Sequence, residues 1–386
     1  MNVHLPSVEQ LSKRRSSCDL IESAQRLAET IFASASTADA DAVLSDHTFD
    51  ALWASGLTRA PFSKEANGHD LLAADSAIDL CLILSLIGSA DLSVARIFEG
   101  HVNAVALVSR YGSGPQVQRF SDDVAAGAMS GVWGADDAKG LRAAPIDGGW
   151  RLEGKKILAS GAGALTRPLV TATSDEGQVI FLLHLNRNER ADVSGWQAQG
   201  MRASATGTVD LTGLILTPDQ LVGTPGDFMR QPYFSGGAWR FCAVHLGAME
   251  KLVDLFRAHL VSRKRDSDPY QIQRVAQCIA STTTARIWVE KSARCLSQQR
   301  LDSDSIVALV NMTRMVTERA ALDVLEAVHR GVGLLGFIRP SPVERISRDL
   351  ATYLRQPVPD LAMANAAKWA LGSARPTAQL WADDEV

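Results

Sequence analysis

The segment from Gly131 to Gly140 is rich in glycine and could hold a phosphate group through its backbone N–H groups. It lacks the G-x-x-x-x-G-K-[ST] order of a nucleotide-binding loop, and a glycine cluster without that order is more often a turn. The run Arg263-Lys-Arg265 is a second possible phosphate site, because a guanidinium pairs with phosphate in a bidentate geometry. Short basic runs are normally solvated, so the residue types alone leave both interpretations of this run open.

Two histidines lie in segments whose apolar residues recur at helical spacing. His101, in the sequence Glu99-Gly-His-Val, is expected near the inner face of the first helical region. Histidine can serve as an acid or a base near neutral pH, although a single histidine on a helix is more often a hydrogen-bonded structural residue. His245 lies in an apolar segment and is interpreted as structural.

Composition and charge argue against several classes of function. The chain has a net charge of -4 and a pI of about 6.1, which predicts neither a nucleic-acid partner nor a membrane partner. The most apolar run, residues 80–87, is far shorter than the roughly 18 residues that a membrane span requires. An odd number of widely spaced cysteines without a C-x-x-C pair predicts neither a disulfide framework nor a zinc site, and favours a cytoplasmic location. These cysteines are Cys18, Cys81, Cys242, Cys278 and Cys295.

The length of 386 residues exceeds what one hydrophobic core usually organises, so we expect several domains. Residues 1–123 show helical periodicity, with a helix predicted to begin at Asp91 and to end at Gly112. Residues 124–225 contain short β-rich runs separated by turn signals, without helices between them, which predicts an antiparallel sheet or barrel.

Residues 226–386 return to the helical period. Long segments at 239–265, 269–298 and 303–331 precede two shorter ones after Pro342 and Pro359. Long helices joined by short polar turns are typical of an antiparallel bundle. The sequence therefore predicts an α+β chain: an N-terminal helical domain, a middle antiparallel β domain and a C-terminal bundle of the four-helix type.

Four motifs occur in the order found in acyl-CoA dehydrogenases. The first, Trp150-Arg-Leu followed by residues 154–161, resembles that family's W-x-L-x-G-x-K-x-x-I-T-N-G strand pair, and residues 200–206 resemble G-x-R-x-S-x-T. Arg263 with Gln273 resembles the R-x-x-F-G…Q connection between helices. Residues 331–337 and 342–349 resemble G-G-x-G-y…P-v-E-r-x-x-R-D. The chain is therefore similar to acyl-CoA dehydrogenases over most of its length, in the domain order given above.

The resemblance implies FAD bound between the β domain and the bundle, with a second subunit contributing to each site. Ser130 and Ser160 correspond to hydroxyl residues that contact the flavin ring, and Leu158 to a residue that covers it. Trp133 fits either the wall of a substrate pocket or the core. The family's assembly implies a homodimer or homotetramer, with an electron-transfer protein or a flavin reductase as a possible partner.

The same resemblance assigns a phosphate site to the neighbouring subunit. Arg263 corresponds to an arginine that reaches the pyrophosphate of the neighbour's cofactor. Gly333 and Gly336 lie in the glycine-rich turn that approaches the same cofactor, although the second glycine of the family's pair is Leu334 here.

The catalytic glutamate of the family has no counterpart at either of its two known positions. The first position falls on Pro357, and the alternative one lies in the stretch 235–241, which contains no acid. Acyl-CoA dehydrogenation needs a carboxylate to remove the α-proton. Asp360, three residues beyond Pro357, is a weak candidate. Because flavin monooxygenases of this fold use histidines near the flavin, His101 is a second one.

The sequence thus indicates an FAD-dependent oxidoreductase of the acyl-CoA dehydrogenase superfamily that acts on a small molecule, either a CoA thioester or a related acyl or small organic compound. One alternative is a flavin-dependent monooxygenase of the same fold that uses reduced flavin from a partner reductase, since oxygen activation needs no α-proton abstraction. Another alternative is a non-catalytic flavin-binding or scaffold relative that has kept only the fold.

Overall fold

The computed structural model describes residues 8–355 and 357–382. Within these residues, five α-helices come first, then ten strands, then six α-helices, in the predicted order. The first five are α1 (Val8–Asp41), α2 (Asp46–Ala54), α3 (Ala77–Ala90), α4 (Leu92–Tyr111) and α5 (Gly114–Ala125). The last six are α6 (Tyr233–Gly236), α7 (Trp239–Ser262), α8 (Pro269–Gln298), α9 (Ser303–Val332), α10 (Pro342–Tyr353) and α11 (Pro359–Gly372).

The ends of α4 follow from its flanking residues, as predicted. The Asp91 carboxylate accepts hydrogen bonds from the backbone N–H groups of Ser93 at 2.8 Å and Val94 at 3.0 Å, which satisfies two donors of the first turn. Gly112 follows the last turn in an extended conformation. The bundle helices agree as closely, and α8 coincides with the predicted segment because Asp268 caps its start and Pro269 occupies its first position.

The middle region is built from short strands in two sheets. The strands are β1 (Val132–Trp133), β2 (Arg142–Ile146), β3 (Gly149–Glu153), β4 (Lys155–Ala159), β5 (Leu169–Ser174), β6 (Gly177–Leu182), β7 (Ala191–Asp192), β8 (Gly207–Asp210), β9 (Ile215–Leu216) and β10 (Leu221–Val222). One sheet has the order β10-β6-β5-β2-β3-β9, with β1 also paired to β5, and the other has the order β4-β8-β7.

Most strand pairs are antiparallel, as predicted, but β5 pairs in parallel with both β1 and β2. These strands are joined to β5 by crossing connections rather than by hairpin turns. Buried Lys156 on β4 helps to link the two sheets: its ammonium group lies 2.5 Å from Asp136 Oδ1 and 3.0 Å from Thr171 Oγ1. Burial lowers the pKa of Lys156, and Asp136 opposes this shift.

The predicted domain boundaries fall close to element ends. Residue 123 lies in the last turn of α5, and residue 225 lies between β10 and α6. One cluster of buried apolar residues nevertheless runs from Leu20 to Leu354 through all three regions. The division into three domains therefore stays a prediction, since the packing is continuous across it.

A buried arginine on α10 joins the bundle to the other two regions. The Arg348 guanidinium donates to both carboxylate oxygens of Asp39 on α1, at 3.0 and 2.7 Å. It also lies 2.8 Å from Glu344 Oε1 and 3.0 Å from the carbonyl oxygen of Gln199 in the β region. Burial opposes ionisation of Asp39, but Arg348 outweighs it and holds the pKa of this carboxyl below its usual value.

Two more residues of α10, Arg345 and Asp349, also make contacts with other regions of the chain. Arg345 donates to Asp91 Oδ2 at 3.2 Å and to the Ala90 carbonyl at 3.1 Å, which anchors α10 to the start of α4. Asp349 Oδ1 accepts from the backbone N–H of Met201 at 2.7 Å. Burial, followed by the nearby Asp91 charge, raises the pKa of Asp349 to about 7. We refer to Arg345, Arg348 and Asp349, with their partners, as the α10 clasp.

Within the described residues, no helix has the length and apolar character needed to cross a membrane. The same residues contain no group of three or more His, Cys, Asp or Glu side chains that could hold a metal ion.

We predict that Arg348→Ala destabilises the protein by about 3–5 kcal/mol, because it leaves the buried Asp39 carboxylate without its ion-pair partner, whereas Glu344 keeps its contact with Arg339. Urea denaturation followed by circular dichroism measures the change in the free energy of unfolding. Arg319→Ala is the matched control, since Arg319 is an exposed arginine of α9 paired with Asp323, and it should change stability little. Equal effects of the two substitutions would contradict the role given to the α10 clasp.

Candidate active site

A cavity of about 760 Å³ lies between α4, the start of α7 and the end of α8, and one side reaches β1. This volume is in the range of small-molecule sites. Its apolar wall is formed by Leu107, Val132, Phe228, Phe234, Phe241 and Leu296. The cavity therefore touches all three regions, and the α10 clasp holds one of its walls, α4, in place.

One face of α4 supplies the polar wall. Arg96, Glu99, Asn103 and Arg110 all line the cavity. Their spacings of three, four and seven residues place them on the same side of a helix. Most of the remaining residues of α4 are buried and apolar or small, so these polar side chains interrupt an otherwise buried helix.

Three of these side chains, Arg96, Glu99 and Asn103, form a continuous chain of hydrogen bonds that ends on α7. Arg96 Nη1 lies 2.6 Å from Glu99 Oε2, and Asn103 Nδ2 donates to Glu99 Oε1 at 2.5 Å. Arg240 Nη1 donates to Asn103 Oδ1 at 3.0 Å. Both oxygens of the buried Glu99 carboxylate are therefore engaged. Burial lowers the pKa of Arg240 to about 10, so this side chain is still charged at neutral pH.

His101 lies behind the cavity wall and positions the chain that leads into β1. Its Nε2 donates to the Thr58 carbonyl at 2.8 Å, and its Nδ1 accepts from the backbone N–H of Ser130 at 3.2 Å. Burial lowers the pKa of His101 to about 4, so the ring is neutral near pH 7 and the two hydrogen bonds define its tautomer. With both nitrogens engaged, this geometry supports a positioning role.

The predicted flavin-contact residues Ser130 and Ser160 differ in what they can offer a ligand. Ser130 is fully buried, and its hydroxyl donates to the Arg167 carbonyl at 2.5 Å, so contact with a cofactor would require this bond to rearrange. The Ser160 hydroxyl is half-buried and accepts from Thr206 Oγ1 at 3.3 Å, which leaves its own proton for an acceptor on a ligand. Trp133 is buried, and its indole N–H donates to the Ser160 carbonyl at 3.0 Å.

The surroundings of Ser160 match the chemistry of a flavin ring. Leu158 exposes 62% of its surface and has a φ of +51°, so the backbone turns this apolar side chain outward beside Ser160. Val132, the neighbour of Trp133, lines the cavity. An apolar surface with one hydroxyl donor at its edge suits an aromatic ring system with polar atoms on its rim, so Ser160 and Leu158 fit a flavin ring, although Val132 is the residue of this group that lines the cavity itself.

The predicted phosphate elements lie at the other end of the bundle. Arg263 is exposed at the C-terminus of α7, a helix of 24 residues that spans about 36 Å at about 1.5 Å per residue. Gly333 has a φ of +73° and open space around it, and Gly336 is buried in the same turn after α9. Arg265 Nη1 approaches the Gly331 carbonyl at 3.5 Å, which brings the two elements together. Because the start of α7 lines the cavity and Arg263 follows its last residue, these elements lie about one length of α7 from the cavity within one chain.

Neither family position supplies a catalytic base: residues 235–241 contribute to the cavity lining but contain no acid, and Pro357 does not line the cavity. Pro357 is exposed between α10 and α11, and its carbonyl accepts from Arg314 Nη2 at 2.7 Å. Asp360 is exposed in the first turn of α11, a position that gives no support to a catalytic role. Among the described lining residues, Glu99 is the one carboxylate. Sequence reasoning missed it, although charged and amide side chains at helical spacing on a buried helix were a usable signal.

Comparison with known proteins finds family matches in the two helical regions of the chain. The family description "Acyl-CoA dehydrogenase, N-terminal domain" matches residues 17–128, and "Acyl-CoA dehydrogenase, C-terminal domain" matches residues 239–355. The chain is also 23% identical over 320 residues to the dibenzothiophene monooxygenase of Mycolicibacterium goodii, covering 70% of this chain and 75% of that protein.

Two solved structures share the fold. The dibenzothiophene monooxygenase TdsC of Paenibacillus sp. A11-2, in its FMN-bound form, has a TM-score of 0.82 at 21% identity and covers 94% of this chain and 100% of its own. The butyryl-CoA dehydrogenase of Megasphaera elsdenii has a TM-score of 0.82 at 17% identity, with 96% of this chain and 100% of its own covered. On the matches to both helical domains and the shared fold, the chain belongs to the acyl-CoA dehydrogenase superfamily.

Proposed function

We propose that this protein is a flavin-dependent oxidoreductase that oxygenates a small organic molecule, using reduced flavin supplied by a partner reductase. In this reaction dioxygen gives one oxygen atom to the substrate and the other to water, while the reduced flavin provides two electrons and is oxidised. The observation that carries the proposal is the state of Glu99. The one described carboxylate of the cavity wall is held by Arg96 and Asn103, so it is poorly placed to remove an α-proton.

The similarity in sequence and in fold to proteins named as dibenzothiophene monooxygenases also supports the oxygenase proposal. A monooxygenase does not need the glutamate that is absent from the two known base positions. Loss of that base would forfeit roughly 10²- to 10⁴-fold in the rate of a dehydrogenation. The residues kept in the cavity are suited to binding and orientation instead.

When bound, the flavin supplies the electron-transfer and oxygen chemistry, and the chain positions it and its substrate. Ser160 can donate a hydrogen bond to the rim of the ring, and Leu158 can pack against one side. Phe228, Phe234 and Phe241 contribute apolar surface to the cavity, and polar contacts are stronger where such surface displaces water. Asn103 and Arg240 present hydrogen-bond donors to a substrate placed between these walls.

The second candidate function is acyl-CoA dehydrogenation with Glu99 as the base, because Glu99 is a carboxylate within the cavity wall. For this role Glu99 would have to leave Arg96 and Asn103 when the substrate binds. Apo structures can hold catalytic groups away from their reacting geometry, so this candidate needs an experimental test.

We predict slow or absent flavin bleaching when the flavin-loaded protein is mixed anaerobically with short-, medium- and long-chain acyl-CoA thioesters. Stopped-flow absorbance measures the reduction rate. Fast reduction by any thioester would contradict the oxygenase proposal. In that case two substitutions identify the base: Glu99→Gln should abolish the reduction if Glu99 removes the proton, and Asp360→Asn should abolish it if Asp360 does.

The flavin we propose is FAD, because Arg263 and the turn at Gly333 offer a phosphate site beyond the reach of FMN bound at Ser160. Arg263 is exposed and makes a backbone cap at the end of α7, so its guanidinium is accessible to a ligand of a neighbouring subunit. The solved TdsC structure contains FMN, so the relative affinity of this protein for FAD and FMN is the quantity to measure.

We predict that FAD binds about ten-fold or more tightly than FMN, since a hydrogen bond to a charged group contributes roughly 1.5–3 kcal/mol. Quenching of flavin fluorescence gives both affinities. Arg263→Ala should remove most of the difference, whereas Arg257→Ala, an exposed arginine of the same helix paired with Asp254, should preserve it. Equal affinities in the unmodified protein would refute the FAD assignment, and binding of neither flavin would support the non-catalytic alternative.

We also propose that the protein is a homodimer or homotetramer. Large apolar side chains are exposed around the turn after α9 and on α8: Leu334 is 75% exposed, Phe337 57% and Tyr270 70%. Exposed apolar patches of this kind mark interaction surfaces, and a symmetric contact would bring the Gly333 turn to a second subunit.

Light scattering at micromolar concentration is expected to give a dimeric or tetrameric mass. The double substitution Leu334→Glu with Phe337→Glu should shift the mass toward the monomer and weaken FAD binding. Val43→Glu, at an exposed apolar residue just after α1, is the control and should alter neither property. A monomeric mass together with full FAD occupancy would show that no second subunit is needed.

A further inference from the structure

The cavity carries an excess of positive charge that its own residues do not neutralise. Three arginines line it, Arg96, Arg110 and Arg240, against the single carboxylate of Glu99 among the described lining residues. Glu99 forms its ion pair with Arg96, at 2.6 Å. Across residues 8–355 and 357–382, Arg110 and Arg240 form no ion pair with a carboxylate.

Arg240 is the inner of these two unpaired cations. One of its terminal nitrogens donates to the neutral Asn103 amide, and its Nε atom is buried without a hydrogen-bond partner among the described residues. Burial lowers the pKa of Arg240, the nearby charge of Glu99 partly opposes this shift, and the charge of Arg110 adds to it. A desolvated guanidinium without a counter-ion is costly, and an anionic ligand would offset that cost.

Arg110 lies nearer the cavity mouth, where it is exposed. Its Cζ atom is 3.4 Å from the centroid of the Tyr233 ring, a cation–π contact that orients the guanidinium without neutralising it. An anion entering the cavity would therefore pass one oriented cation before reaching the second. The planar donor groups of arginine match the geometry of carboxylate and other oxyanions better than a point charge does.

The remaining walls define the rest of the ligand. Phe228, Phe241 and Leu296 contribute apolar surface to the same cavity, so the part of the ligand that does not carry the charge should be apolar. The volume of about 760 Å³ must also accommodate the flavin ring on the β side, which leaves room for a small molecule.

We propose that this cavity binds a small organic oxyanion, a carboxylate, sulfinate or sulfonate on an apolar body, and that Arg240 binds its anionic group. This inference rests on the proposed function, since it names the class of substrate for the same site. Arg240 acts here as a determinant of specificity, and Arg110 assists entry.

Calorimetric titration of the flavin-loaded protein with three probes of similar shape tests the proposal. The probes are 2-naphthoate, 2-naphthalenesulfonate and the neutral 2-naphthamide. One or both anions should bind roughly ten- to hundred-fold more tightly than the amide, as expected for hydrogen bonds to a charged group. Preference for the carboxylate over the sulfonate, or the reverse, identifies the kind of oxyanion. Equal affinities for all three probes, or no binding of either anion, would overturn the proposal.

Substitutions then assign the effect to one residue. Arg240→Gln should lose most of the preference for the anion while the affinity for the amide changes little, and Arg240→Lys should restore part of it. Arg257→Gln, an exposed arginine on the same helix, is the control. An unchanged anion preference in Arg240→Gln would overturn the role of Arg240. If that variant does not fold, the comparison of anion with amide in the unmodified protein still decides whether the cavity selects anions.

Free CoA is a fourth probe, because its phosphate groups are another source of oxyanions. Binding of CoA at this site without binding of either naphthalene anion would overturn the assignment to a small organic anion. All these readouts are affinities and require no turnover. A failure of oxygenation would therefore leave an observed anion preference standing, and a missing preference would leave the oxygenase chemistry to be judged by its own assay.

Discussion

The structure depends on the α10 clasp, the set of buried ion pairs through which one helix of the bundle holds the other two regions. Arg348 binds Asp39 of α1 and the Gln199 carbonyl, and Arg345 binds Asp91, which in turn caps α4. Buried ion pairs add little net stability compared with apolar packing, but removal of one partner is expensive. The clasp thus restricts how the regions can be arranged, and it sets the position of α4, the helix that carries the polar wall of the cavity.

The polar wall of the cavity is also held together by polar contacts between side chains, but one of its cations has no carboxylate partner among the described residues. Arg96, Glu99 and Asn103 satisfy one another, and the hydrogen-bond chain continues to Arg240. There the chain ends on a cation without a carboxylate partner in the described structure. Buried polar networks are normally completed, so an incomplete one at the edge of a cavity indicates that a ligand completes it. The same arrangement explains why Glu99 is a poor base, because its charge already serves Arg96.

Much of the fold could be predicted because the signals are local. Asp91 and Gly112 bound α4, and the spacing of apolar residues gave α8 and α9 nearly to the residue. The functional contacts are not local, which is why the sequence alone missed them. Arg348 and Asp39, which form an ion pair, are 309 residues apart in the sequence. Asn103 and Arg240, which share a hydrogen bond, are 137 residues apart. The family motif includes Arg348 but does not indicate which residues it contacts. In the sequence, Glu99 stands out only as part of the segment that contains His101.

The proposed function places a flavin ring on the β side of this cavity, with the polar wall of α4 and α7 across from it. A crystal structure of the flavin-loaded protein tests this claim most directly. We expect the rim of the ring within hydrogen-bond distance of the Ser160 hydroxyl and one face open toward Asn103 and Arg240. A ring bound instead in the groove between α5 and the β region, near Arg167 and His184, would contradict the account.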